Sequence, residues 1–210
     1  MRPVFSTKTL VAADDDNICA SQTPTAGALL LNGVAVTAGV AALGTQRRVL
    51  VTAVGDESTR TLTVTGTNEE GIVIRQTITG PNATTGATTL DFFTITGVTI
   101  SGNAAGAIKV GTNGVGATKW VPLDQHVTPF HVSLQMLVGT GTANFTAQYT
   151  QDDVFAKGSE STVFKSTDTI AGGAVDVVGT LISPVGAVRM LINSGTDAVR
   201  FTIRQAGLGG

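Results

Sequence analysis

The sequence predicts an all-β protein, an antiparallel β-sandwich of jelly-roll or immunoglobulin-like type. It is read as two small sandwich domains preceded by an extended N-terminal arm. The first observation behind this is alternation. In Phe130–Thr150, Val132, Leu134, Met136 and Val138 point one way, and His131, Ser133 and Gln135 the other. A period of two is the mark of a strand with one buried face. The second is composition. Thr, Gly and Val dominate, and charged residues make up only 13% of 210 residues, about half the usual share. Thr and Val suit strands and Gly suits turns, while the strong helix formers are scarce. The third is repetition. RVLVTAV–GDESTR–TLTVTG, the stretch around Gly139–Thr142, and VRMLI–NSGTD–VRFTI share one layout. Each reads as a wide hairpin with a polar, Gly-bearing turn.

Residues 1–26 show no sustained periodicity and read as an extended arm that needs something to lie against. They nevertheless carry Val4, Phe5, Leu10, Val11 and Ile18. A purely solvated tail has no use for these, so they are the candidate partner-binding residues of an arm that folds on a neighbour. On this reading a chain beginning at Ser21 keeps its fold.

Residues 27–117 form the N-terminal β domain. Asn32-Gly33 is a tight-turn dipeptide, and a helix over Val34–Leu43 is argued against by Gly39 and the valines. Strands are expected near 48–54, 60–66 and 71–79, then a break at Gly80-Pro81-Asn82 and a loop at TTGATT. Phe92–Ser101 is a strand with Gly97 at a bulge. Short strands near Ile108–Val110 and Lys119–Val121 flank the glycine-rich GTNGVGAT, read as a loop between domains. Residues 118–210 form the C-terminal sandwich: two hairpins, short strands near Ser161–Lys165 and Ala174–Val178, and a loose QAGLGG tail. One continuous sandwich is the alternative.

The totals exclude several functions. A net charge of −2, with no basic cluster longer than Arg47-Arg48, offers nucleic acid no footprint. No apolar run approaches the ~20 residues of a membrane span. The N-terminus lacks the apolar core of a signal peptide, so the triplets at Asn82 and Asn144 read as chance matches to the glycosylation pattern. The single Cys19 excludes an internal disulfide. It reads as a small apolar residue rather than a reactive thiol.

Candidate chemistry is sparse, and no metal or cofactor site is expected. Asp14–Asp16 could offer oxygen ligands to calcium, but the EF-hand spacing is absent and a solvated acidic turn is preferred. Gly111, Gly114 and Gly116 do not follow the P-loop pattern. His126 with Asp124 lacks an activated serine, and two histidines with one cysteine fall short of a zinc site. The pairs Asp152-Asp153 and Glu69-Glu70 sit in expected turns. Trp120 is the one free candidate for stacking on a sugar.

Several stretches carry a resemblance: AADDDNICASQTPTAG, RRVLVTAVGDESTRTLTVTGTNEEG, TITGPNATTG with DFFTITGVTISG, VGTNGVGATKW, and AVRMLINSGTDAVRFTIRQAG. Together they resemble bacteriophage virion structural proteins, the β-rich capsid decoration, head-fibre or neck components of tailed phages. The resemblance implies a non-enzymatic component, most directly a capsid decoration (cement) protein. Other virion proteins would be its partners, self-association is expected, and assembly would occur in the host bacterial cytoplasm. The alternative is a tail- or neck-located adaptor that recognises host glycans. No functional residue is carried over, since the family supplies no motif to match.

Overall fold

The computed structural model describes residues 3–154, 164–166 and 170–206. Among them there is no helix, and every strand ladder is antiparallel. The chain divides into two compact units. One comprises Met1–Val11 and Gly116–Gly210, the other Ala12–Val115.

The first unit is a sandwich. Its four-stranded sheet is ordered β1-β17-β12-β15, from β1 (Val4–Thr9), β17 (Ala198–Ala206), β12 (His131–Val138) and β15 (Val177–Leu181). The second layer joins β14 (Phe164–Ser166), β13 (Ala143–Thr150) and β16 (Ala187–Gly195). β11 (Val121–Pro122) and the last residues of β10 (Ile108–Ala117) also pair with β16. The inward residues of both layers share one core. Val132, Leu134 and Met136 of β12 and Val199, Phe201 and Ile203 of β17 meet Phe145 and Ala147 of β13 and Val188, Met190 and Ile192 of β16.

The second unit is built on β9 (Phe92–Ile100). β6 (Thr61–Thr67) pairs with β9 on one side and with β7 (Val73–Thr79) on the other. The long β5 (Val40–Ala53) pairs with β9, with β4 (Val36–Thr37) and with β8 (Thr85–Ala87), and β3 (Gly27–Ala28) adds to β9. β2 (Asp14–Gln22) pairs with β10. The core draws Ile18 and Cys19 from β2, Val49 and Val51 from β5, Leu62 and Val64 from β6, Phe92, Ile95 and Val98 from β9, and Ile108 and Val110 from β10.

The structure departs from the sequence reading in four places. First, none of the three wide hairpins is a hairpin. β12 and β13 belong to different layers, as do β16 and β17, and β5 does not pair with β6. The alternation was that of strands, but the turns after β12 and β16 are arches that carry the chain from one layer to the other, and the β5–β6 connection skips over β9 within one sheet. Asp197 secures both of these arches at once. Its carboxylate accepts the Gly141 N–H at 2.6 Å and the Ala198 N–H at 2.8 Å. The tight hairpins lie elsewhere. Ala38 (φ 52°) and Gly39 (φ 79°) form the two-residue turn between β4 and β5, with the left-handed backbone that such a turn requires.

Second, the glycine-rich stretch is strand, not loop: it is the body of β10. A Cβ on Gly111 would lie 2.0 Å from the Asp14 carbonyl oxygen. Glycine is there because the β2 backbone passes directly over it. Third, TTGATT contains the three-residue β8. Fourth, the expected arm, over its described residues 3–26, lies on strands of its own chain rather than waiting for a neighbour. β1 pairs along its whole length with β17, and β2 with β10. The bulge expected in β9 is present: the pairing slips between Thr65 and Gly66, next to Gly97. Of the short strand expected at Ser161–Lys165, residues 161–163 lie outside the described residues, as does the end of the QAGLGG tail.

Candidate functional site

The five residues expected to bind a partner do not form one surface. β1 alternates half-buried and exposed positions, so its residues face two ways. Val4 packs against the first unit's core, and Leu10 is buried in it at 1% exposure. Ile18 is fully buried in the core of the second unit. Phe5 and Val11 point to solvent, 64% and 71% exposed. The Arg200 guanidinium lies 5.0 Å from the centre of the Phe5 ring. β1 is the edge strand of its sheet among the described residues. An edge strand presents unpaired backbone groups that another chain can add to.

Next to Phe5 the outward face of the four-stranded sheet is concave. Pro3, Ser133, Gln135, Val178, Thr202 and Arg204 line a cleft of about 260 Å³. The register explains how they meet. Phe5 stands opposite Thr202, Thr202 opposite Gln135, and Gln135 opposite Val178, in one row across all four strands. Arg204 and Ser133 form the neighbouring row. Among the described residues, no hydrogen bond or ion pair engages the side chains of Ser133, Gln135, Thr202 or Arg204. The Thr202 hydroxyl oxygen is out of contact with water and also lacks a partner. No carboxylate stands on the outward positions of these strands. Alternation alone places His131, Ser133, Gln135, Arg200, Thr202 and Arg204 on polar strand faces. It does not say that β12 and β17 are neighbours, and the cleft depends on that pairing.

The other candidates resolve into structural roles. Carboxylate oxygens of Asp14, Asp15 and Asp16 lie within 4.8 Å of one another. The Lys109 ammonium already sits 3.3 Å from Asp15 and 3.8 Å from Asp16, so a cation of this chain faces the cluster. Asp124 accepts the His126 backbone N–H at 2.9 Å, which closes a local turn rather than orienting an imidazole. Burial pushes the Cys19 thiol up to about 12, so it holds its proton at neutral pH and is a poor nucleophile. Glu69 and Glu70 lie in the β6–β7 turn, where Asn68 accepts the backbone N–H groups of Glu70 and Ile72. Asp152 and Asp153 line a separate cleft of about 320 Å³ with Gln125 and Gln151, and both are engaged by other groups.

Trp120 is buried at 7% exposure with the Arg189 guanidinium 4.7 Å from its ring centre. It offers no open face to a sugar. Asn144 donates to the Gly172 carbonyl and accepts from Asn193, so its side chain serves the fold. The two adjacent arginines are also structural. Arg47 is 2% exposed, its guanidinium donates to the Asn113 carbonyl, and burial lowers its pKa. Arg48 lies 3.6 Å from Asp91.

One buried carboxylate was not singled out by sequence. Glu57 is fully buried and accepts the backbone N–H groups of Ala105 and Gly106 at 2.7 and 3.1 Å, with Arg60 at 3.3 Å. It ties the β5–β6 connection to the loop after β9. The signal was an Asp56-Glu57 pair following Gly55 in GDESTR, which a solvated turn would show equally well.

No protein-family model matches the sequence, and no curated protein matches it. Solved structures give slight likenesses. An allantoicase from Saccharomyces cerevisiae aligns over 93% of this chain and 89% of its own, at 9% identity and a TM-score of 0.22. The major capsid protein P2 of bacteriophage PM2 aligns over 99% and 98%, at 8% identity and a TM-score of 0.21. Likenesses at this level transfer neither fold nor function to this chain.

Proposed function

We propose that this chain is a non-enzymatic structural component of a tailed-phage particle, and within it a capsid decoration protein that adheres to other virion proteins. Neither nucleic acid nor membrane has a part in this reading. The resemblance of its turn and strand phrases supports the virion assignment. The observation that carries the adhesive role is the division of the N-terminal segment. Leu10 and Ile18 anchor it in two cores, while Phe5 and Val11 stand exposed on and just after an edge strand. Burying such side chains against a partner contributes about 1.5–3 kcal/mol each. Self-association would link several such contacts, and linked contacts gain avidity. Self-association through the same edge is part of the proposal, as is assembly in the host bacterial cytoplasm.

Quantitative mass spectrometry of purified particles tests it. Decoration predicts a copy number close to that of the capsid subunit. A substoichiometric amount, as in a single ring, supports the second reading, a tail- or neck-located adaptor that recognises host glycans. The cleft of unpartnered polar groups beside Phe5 favours that second reading. Absence of the protein from particles overturns both.

A further inference from the structure

We propose that the outward face of the β1-β17-β12-β15 sheet binds an acidic sugar unit, a pyranose carrying a carboxylate, in the cleft beside Phe5. The proposal does not rest on decoration of a capsid, and it supplies a ligand class for the second reading.

The chemistry of the lining selects the ligand. Among the described residues Arg204 is the single cation of the cleft, and a guanidinium recognises a carboxylate through two parallel hydrogen bonds. Ser133 and Gln135 each both donate and accept. Sugar hydroxyls do the same, so two such groups beside one cation suit a polyol with one negative charge. A glutamate or aspartate side chain would engage Arg204 and leave the acceptors of the other two unused. Pro3 and Val178 form the ends of the cleft and can pack against the apolar C–H faces of a ring.

Size and electrostatics agree. The cleft holds about 260 Å³, just below the roughly 300–1,000 Å³ of drug-sized pockets, which fits one ring rather than a large ligand. It lies open on a sheet face, so a polymer can enter and leave it. Arg200 follows four residues away along β17, about 13 Å at the rise of a strand. A further acidic unit of the same polysaccharide would meet a second cation there. The chain as a whole is net negative, yet these outward positions carry arginines and no carboxylate.

The unpartnered groups give the independent observation. Threonines elsewhere in the molecule satisfy one another, as Thr63 does with Thr77 at 2.8 Å and Thr67 with Thr94 at 2.7 Å. The hydroxyls of Thr202, in the row that lines the cleft, and of Thr52, elsewhere, are shut off from water without a partner. Ser133, Gln135 and Arg204 keep side-chain groups that no hydrogen bond or ion pair among the described residues engages, so these are the groups a hydroxyl-bearing ligand in the cleft would meet.

The test is an NMR titration of the full-length, 15N-labelled chain with tetragalacturonate. Maltotetraose serves as the neutral counterpart and a tetraglutamate peptide as the charge-only counterpart. The expected shifts fall on Ser133, Gln135, Val178, Thr202 and Arg204. Maltotetraose and tetraglutamate should each bind at least about tenfold more weakly, and Arg204→Gln should cost about tenfold, as loss of one charged hydrogen-bonding group does. Thr202→Val should leave the melting temperature unchanged or higher, since it removes a buried hydroxyl that has no partner, while Ser133→Ala should weaken binding severalfold. No shift at about 10 mM tetragalacturonate, the weak limit of useful recognition, overturns the proposal. So does equal binding of tetraglutamate, or an Arg204→Gln variant with wild-type affinity. The particle copy number is measured independently, so failure here leaves the decoration reading standing.

Discussion

Gly111→Ala is the sharpest probe of how β10 is held. The added methyl would lie 2.0 Å from the Asp14 carbonyl oxygen, 2.6 Å from the Asp15 carbonyl carbon and 2.8 Å from the Asp16 nitrogen. All three are backbone atoms, so no side-chain rotation can relieve the clash. Ordinary contact begins near 3.4 Å, and β2 must therefore withdraw by more than 1 Å. That displacement stretches the β2–β10 hydrogen bonds beyond useful length. Overpacking of this kind costs about 1–3 kcal/mol. Partial loss of the buried Ile18 and Cys19 from the core adds to it, at about 1.5–3 kcal/mol for a fully re-exposed large apolar side chain. The expected destabilisation is therefore about 2–4 kcal/mol. Gly114 is the internal control: it lies in the same strand, and a Cβ there meets nothing within 4 Å. Gly114→Ala should stay within about 0.5 kcal/mol or stabilise slightly by restricting the unfolded chain. Urea unfolding with a common m-value reads both changes as shifts in midpoint. Equal losses from the two substitutions would refute the packing argument and return this stretch to a free loop.

Three further outcomes are expected. Phe201→Ala should cost about 3–5 kcal/mol, because Phe201 is 1% exposed between Val199 and Ile203. Arg200→Ala should cost no more than about 1 kcal/mol, the scale of an exposed stacking contact with Phe5; the same urea titrations compare them. A chain beginning at Ser21 should fail to give a cooperative melt by circular dichroism, since it lacks both Leu10 and Ile18. Each is the kind of buried residue whose truncation costs about 2–5 kcal/mol, against a total stability of about 5–15 kcal/mol. This reverses what an unattached arm would predict. Finally, the folded Cys19 thiol keeps its proton up to about 12, whereas an unfolded thiol ionises near about 8.5. Its contribution is complete below the unfolded value and is lost as the pH rises through the window between the two, by at most about 1.4 kcal/mol per pH unit. Cys19→Ala should flatten the decline of stability above that lower limit, and the native thiol should resist alkylation at pH 8 until the chain is unfolded.

Strands were legible in this sequence because their burial alternates. Val199, Phe201 and Ile203 are buried and Arg200 and Arg204 exposed, as the period of two requires. Strand pairing was not legible. A turn such as GTGT or NSGTD between two alternating runs looks the same whether the next strand joins its predecessor or crosses to the facing layer. Only the absence of a two-residue Asn-Gly or Asp-Gly turn at these places hinted at arches. The glycine run was misread because glycine marks loops in general; here its role is to let β2 approach. The N-terminal segment was misread for a related reason. Asp14–Asp16 have poor strand propensity, but Lys109 faces two of them and β10 supplies the pairing. The cleft on the outward sheet face was legible residue by residue, and its assembly waited on the register of β17 between β1 and β12.

The adhesive role rests on Phe5 and Val11, and one comparison tests it most directly. A Phe5→Ser/Val11→Ser chain should melt within a few degrees of the original, because both side chains are mostly exposed, at 64% and 71%, and surface changes usually cost within about 0.5 kcal/mol. Co-sedimentation with particles stripped of the protein then measures occupancy. The account predicts that the doubly substituted chain is folded yet strongly depleted from the particles. A folded variant that occupies particles as fully as the original would contradict it.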